Sequence, residues 1–150
     1  MPQAMTELLL ADDDATAELG RRLAAALRPG DLLLLQGDLG AGKTALARPI
    51  IRTLMADPDL DVPSPSFALV QPYEGNGKSV LHTDLYRIRD PREVDELGLF
   101  DRPETIVLCE WPEQADEEFT RRATGKVALG IPPSGIGRLA EVTFLDAREF

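Results

Sequence analysis

The segment Gly37-Asp38-Leu39-Gly40-Ala41-Gly42-Lys43-Thr44 satisfies the pattern G-x-x-x-x-G-K-[ST]. Residue types in this order suit the cradling of a polyphosphate. Glycines let the main chain wrap closely, so that N–H groups along Asp38, Leu39, Gly40, Ala41 and Gly42 point at phosphate oxygens. A helix starting near Lys43 adds its positive end to the same anion. Lys43 then bridges the outer phosphates, and Thr44 offers its hydroxyl to Mg2+. The expected ligands are ATP and Mg2+.

Such a loop works with a carboxylate at a strand end, and two acids qualify. Asp84 follows the strand ending at His82, and Glu110 closes the apolar run Thr105-Ile106-Val107-Leu108-Cys109. The plainer reading of Asp84 is a loop or helix-cap residue, and of Glu110 an exposed acid at a strand edge. Both stand as catalytic candidates beside Lys43 and as metal ligands beside Thr44. Ser64 and Ser66 flank Pro65 on the loop after the phosphate-loop helix, a segment that in many such proteins reaches over the γ-phosphate; a rigid proline turn is the alternative. His82 is the one histidine and Cys109 the one cysteine, so no Cys/His zinc cluster exists. His82 reads more simply as a structural hydrogen-bonder than as a catalyst, Cys109 as a buried strand residue, and Trp111 as packed at the strand end.

The elements that must position these groups follow from local pattern. Thr6–Leu10 reads as a strand, and Asp12-Asp13-Asp14 suits a helix start. Leu19, Leu23 and Leu27 recur every four residues along the helix 15–27, which Pro29-Gly30 ends. Leu32–Leu35 is a continuous apolar run, as in a strand buried on both faces of a parallel sheet. The glycine-rich loop and a helix from about Lys43 to Met55 come next, with Pro49 expected to kink it. The proline- and aspartate-rich stretch 57–65 is loop. Strands are expected at 67–70 and 80–82, joined through Gly75-Asn76-Gly77, a strong hairpin signal. A short helix at 91–97 capped by Asp90, a strand at 105–109, a helical turn at 119–123 and strands at 127–131 and 141–145 complete the reading. The fold class is α/β: a P-loop NTPase-like three-layer domain with a mixed, mainly parallel sheet, spanning 1–150 as a single unit.

Bulk properties narrow the setting. The formal net charge is −10, so the surface repels polyanions, and contact with nucleic acid is expected through a partner. The start, Met1–Leu10, lacks the basic region of a signal peptide. No apolar run approaches the roughly 18 residues of a membrane span. One cysteine fits a reducing compartment. A cytoplasmic protein is expected, with neither membrane nor DNA as a partner.

The combination of Gly37–Thr44, Ser64-Pro65-Ser66-Phe67, His82-Thr83-Asp84-Leu85-Tyr86-Arg87 and Glu110-Trp111-Pro112 resembles the TsaE (YjeE) family, small P-loop ATPases of bacterial tRNA threonylcarbamoyladenosine synthesis. The likeness runs from about Asp12 to Trp111, and Gly137-Arg138 looks like that family's start of the last strand. It implies ATP and Mg2+ binding with slow hydrolysis by the chain alone. It also implies TsaD and TsaB as partners, with tRNA reached only through that complex. Carried over, Lys43 holds phosphates, Thr44 and Glu110 approach Mg2+, and Asp84 matches the acid needed for hydrolysis. Ser64 and Ser66 match a switch-like segment, Asp13 and Thr16 match the region near the adenine, Trp111 resembles a nucleotide sensor, and Arg138 is carried over as nucleotide-binding. Pro49 departs from the pattern, where a small helix-compatible residue is expected.

Three readings compete for the loop, one of them a nucleotide-dependent assembly factor that overlaps the family reading and in which binding matters more than turnover. A small-molecule kinase would use Asp84 as base, with Arg21, Arg22, Arg121 or Arg122 in a lid, but the region around Arg121 is short for one. A GTPase would select guanine with Asn-Lys-x-Asp, whereas Asn76 is the sole asparagine and Gly77 follows it.

Overall fold

Four consecutive leucines leave a strand no polar side to show to water, and the chain buries Leu32, Leu33, Leu34 and Leu35 between two layers. The computed structural model describes residues 4–66, 69–146 and 148–150. Its elements run β1 (Ala4–Leu10), α1 (Asp13–Ala26), β2 (Leu32–Gln36), α2 (Lys43–Leu54), β3 (Val70–Gly75), β4 (Lys78–Asp84), β5 (Ile106–Glu110), α3 (Glu117–Arg121), β6 (Gly125–Gly130) and β7 (Arg138–Phe144). They build a 7-stranded sheet in the order β1-β7-β6-β2-β5-β4-β3. β2 pairs parallel with β5 and β6, and β4 with β5. The pairings β1–β7, β6–β7 and β3–β4 are antiparallel. The sheet is therefore mixed, as expected, with its parallel part confined to the centre.

Alternation along the strands sorts side chains into two clusters. Leu33, Leu35, Val80, Ile106 and Leu108 pack toward α1 and α2 with Leu19, Leu23, Leu46 and Ile50. Leu32, Leu34, Val107 and Cys109 face the other way, against Leu85, Ile88, Val94 and Phe119. That second layer is thin. Residues Pro91–Leu97 form a 3₁₀ helix, and α3 is 5 residues long. No helix among the described residues is long and apolar enough to cross a membrane.

Capping follows the sequence closely. Asp12 accepts from the Ala15 N–H at 2.9 Å, and Asp116 accepts from the Phe119 N–H at 2.9 Å. Asn76 and Gly77 take positive φ of 52° and 72° and form the whole β3–β4 turn.

Three expectations need correction. β3 runs from Val70 to Gly75, after the expected strand 67–70, whose first residues Phe67 and Ala68 lie outside those described. β3 is an edge strand carrying Pro72 and Glu74, so it lacks an apolar signal. β6 ends at Gly130, leaving Ile131 exposed, and β7 starts earlier than expected, at Arg138. Pro49 lies inside α2, a single 12-residue element. Gly20 of α1 makes the room: a Cβ there would lie 2.6 Å from Pro49 Cγ.

Candidate active site

α2 begins without a side-chain cap. Its N-cap is Gly42, held at φ 103°, and no side chain bonds to the first-turn N–H groups. Those donors open onto a cavity of about 290 Å³. Leu39, Gly40, Ala41, Gly42, Lys43 and Thr44 form one wall of it, and Ser64, Ser66, Asp84, Glu110 and Trp111 close it. Gly40 has φ 81°, and a Cβ placed on it would meet nothing within 4 Å, so the main chain there lies open to a ligand.

Lys43 is buried. Its Nζ donates to the carbonyl oxygens of Gly37 and, at 3.1 Å, of Asp38, and lies 3.8 Å from the centroid of the Trp111 ring. Burial pushes the Lys43 ammonium below the ordinary lysine range, against the charges of Glu110, Glu113, Asp84 and Asp38. Trp111 itself adopts a left-handed backbone, φ 58° and ψ 50°, rare for a bulky residue and frequent at functional sites. Its ring lies 4.8 Å from that of Tyr86.

The two acids arrive by register. Asp84 and Glu110 are paired at the ends of the parallel strands β4 and β5, and Leu35 of β2 is aligned with Glu110 on the other side. Both carboxylates line the cavity. The Thr44 hydroxyl lies 2.9 Å from each oxygen of Glu110. Asp84 accepts from the Tyr86 N–H at 2.8 Å and from the Ser66 hydroxyl at 3.3 Å, and Ser64 and Ser66 share a hydrogen bond of 2.7 Å. Leu69, at φ 65°, fastens this loop: its carbonyl accepts from Asp84 N–H at 3.1 Å and Thr83 Oγ1 at 2.7 Å.

The donor set suits Mg2+. Among the described residues no cluster of three His, Cys, Asp or Glu could hold a metal unaided. Carboxylates and a hydroxyl beside a phosphate cradle are the hard, incomplete oxygen set that Mg2+ takes, completed by substrate phosphates and water.

Other candidates lie outside the cavity wall. Asp38 contributes its carbonyl to Lys43. Arg138 lies against the helix start, where a Cβ on Gly42 would be 2.9 Å from its Cδ. Asp13 is exposed at the start of α1, and the Thr16 hydroxyl donates to the Asp12 carbonyl at 3.4 Å. Gly137 ties this corner to Arg138, since a Cβ there would lie 3.1 Å from Ala11 Cα.

Sequence reasoning missed two neighbours. Tyr86 packs on Trp111 with the rings tilted by 47°, and buried His82 reaches Glu110. Strand alternation held the signal for His82, because residues 82 and 84 of one strand face the same side.

A family model described as "Threonylcarbamoyl adenosine biosynthesis protein TsaE" matches residues 10–132. Curated relatives carry the name tRNA threonylcarbamoyladenosine biosynthesis protein TsaE. That of Rickettsia felis is 39% identical over 107 residues, 71% of this chain and 62% of the relative. That of Rickettsia bellii is 35% identical over 114 residues, 75% and 78% of the two chains. That of Streptomyces coelicolor is 40% identical over 105 residues, 69% and 71%. The chain thus spans less than two thirds of the Rickettsia felis protein. Among solved structures, Bacillus subtilis YdiB shares the fold with a TM-score of 0.73 at 20% identity, covering 97% of this chain and 88% of its own.

Proposed function

The chain belongs to the TsaE family, and from that premise we propose that it is a Mg2+-dependent ATP-binding and ATP-hydrolysing subunit. It supports transfer of a threonylcarbamoyl group to the adenosine next to the anticodon of tRNA, acting with TsaB and TsaD. One observation carries the reading: Thr44 at the start of α2 and Glu110 at the end of β5 are hydrogen-bonded at 2.9 Å across the phosphate cradle, with Asp84 in register beside them.

In this mechanism the main chain from Asp38 to Gly42 and the first turn of α2 bind the phosphates. Lys43 leaves its resting carbonyls and takes the outer phosphate oxygens. Mg2+, when bound, supplies the positive charge that offsets charge developing on the transferred group. Thr44 and Glu110 would hold it. Asp84, oriented by Ser66 and the Tyr86 N–H, places the attacking water and accepts its proton. Ser64 joins Ser66 in closing the phosphate end, and Trp111 covers Lys43. Arg138, beside Gly42 at the start of α2, would contact the nucleotide, and the α1 start at Asp13 and Thr16 would approach the adenine. A net charge of −10 suits a subunit that reaches tRNA through its partners rather than by gripping phosphates itself.

The test is ATP turnover by the purified chain, alone and with TsaB, TsaD and tRNA. Turnover rises with the partners and is lost in Lys43→Ala. Turnover indifferent to the partners, with ATP still bound, overturns the assignment and sends the search to small hydroxyl acceptors.

A further inference from the structure

His82 is fully buried on the α2-facing side of β4, at 0% exposure. Its Nε2 lies 2.6 Å from Glu110 Oε2, while its Nδ1 is buried with no partner among the described residues. A carboxylate oxygen accepts, so the tautomer that makes this bond is the one with Nε2 as donor. Buried polar atoms are nearly always paired, and one left unpaired lowers stability. Glu110 is the polar side chain set against this ring, and it is itself buried.

We propose that His82 is a positioning residue for Glu110, bonding Oε2 so that the carboxylate keeps the orientation in which it would hold the metal. Glu110 is 2% exposed, and its carboxylate is gripped from two elements, by Thr44 of α2 and His82 of β4. Were the Thr44 hydroxyl to turn to a bound metal, the contact with His82 would still hold the carboxylate against rotation within the cavity. Partners of this kind, one bond behind a ligand, set its direction and basicity.

The inference rests on the nucleotide reading above, and the experiment separates the two. Mn2+ serves as the probe: its affinity for the chain loaded with a non-hydrolysable ATP analogue is read by electron paramagnetic resonance, alongside kcat, KM and the thermal midpoint. His82→Leu keeps volume and removes the donor; His82→Gln keeps a donor of similar reach. The leucine variant loses about 10–100-fold in Mn2+ affinity and in kcat, with KM for ATP little changed and the midpoint equal or higher. The glutamine variant regains most of the loss. Should the leucine variant not fold, His82→Asn, polar but too short to reach Glu110, takes its place. Wild-type Mn2+ affinity in the donor-less variant overturns the proposal, as do equal losses in Leu and Gln with lowered midpoints. If the wild-type chain itself binds no Mn2+ with the analogue, the nucleotide reading falls first. Intact wild type with unaffected variants removes only the role of His82.

Discussion

Replacing a helical glycine by alanine ordinarily stabilises a protein by about 1 kcal/mol, yet Gly20→Ala should destabilise this one. A Cβ on Gly20 would lie 2.6 Å from Pro49 Cγ, 2.7 Å from Pro49 Cβ and 3.2 Å from Ile50 N. Non-bonded carbons rest at about 3.5–4.0 Å, so α1 and α2 must part by roughly 1 Å. Overpacking of this kind costs about 1–3 kcal/mol; set against the propensity gain of about 1 kcal/mol, the net loss reaches about 2 kcal/mol. For a domain of this size that lowers Tm by up to about 8 °C. Pro49→Ala works in the opposite sense. Proline is about 3 kcal/mol worse than alanine inside a helix, and removing its outer ring carbons gives up about 1.6 kcal/mol of burial at most, so the variant gains about 1–2 kcal/mol. The double variant tests the cause. The alanine side chain introduced by Pro49→Ala keeps Cβ but lacks Cγ, which relieves part of the overlap, so the pair should be about 1 kcal/mol more stable than the two single changes predict. Urea denaturation of the four proteins closes the cycle. A Gly20→Ala chain more stable than wild type, or a cycle without coupling, refutes the steric account.

Other parts of the molecule give equally definite outcomes. Arg148, with a side chain 5% exposed, donates to both oxygens of buried Asp31; Arg148→Ala strands that carboxylate and should cost about 3–5 kcal/mol by denaturant titration. The hydrogen bond from Arg148 holds the exposed Asp146 carboxyl at about 2, below its ordinary 3.8. Its contribution to stability is thus complete above pH 3.8 and lost as pH falls toward 2, and Asp146→Asn should flatten that limb of the thermal midpoint against pH. Trp111 is the sole tryptophan and sits 3.8 Å from Lys43 Nζ, so ATP that draws Lys43 away should change its emission in wild type and leave Lys43→Ala unchanged.

What the sequence made legible is what short stretches decide. The four-leucine strand, the glycine-rich loop and the Asp12 cap each act within a few residues, and each stands where the pattern placed it. β3 escaped because an edge strand needs no apolar face and tolerates Pro72, which a central strand would exclude. The behaviour of Pro49 escaped for another reason. Its consequence depends on Gly20, 29 positions earlier and facing it across the α1–α2 contact, and nothing in the local pattern links the two. His82 was visible as a residue but not as a neighbour of Glu110, a relation that only strand pairing creates.

Strand pairing also explains why the acids form a site at all. Val80, His82 and Asp84 share one face of β4, and Ile106, Leu108 and Glu110 share the matching face of β5, the face covered by α1 and α2. A slip of one residue would turn every one of these side chains to the opposite layer. That slip is prevented far from the chemistry. It would drive Val80 and Leu108 out of one apolar cluster and leave His82, Asp84 and Glu110 buried among Leu85, Ile88 and Phe119 without polar partners. The same register aligns Leu35 with Glu110, so the phosphate loop leaves β2 level with the two carboxylates, at the carboxyl ends where open α/β sheets bind ligands. The apolar core thereby sets the distance between Thr44 and Glu110. A substitution such as Leu108→Ala, at an apolar side chain two residues before Glu110 on the same face of β5, should for that reason loosen Mn2+ binding as well as lower stability. If it lowers stability alone, the carboxylate is placed by its own hydrogen bonds and not by the register beneath it.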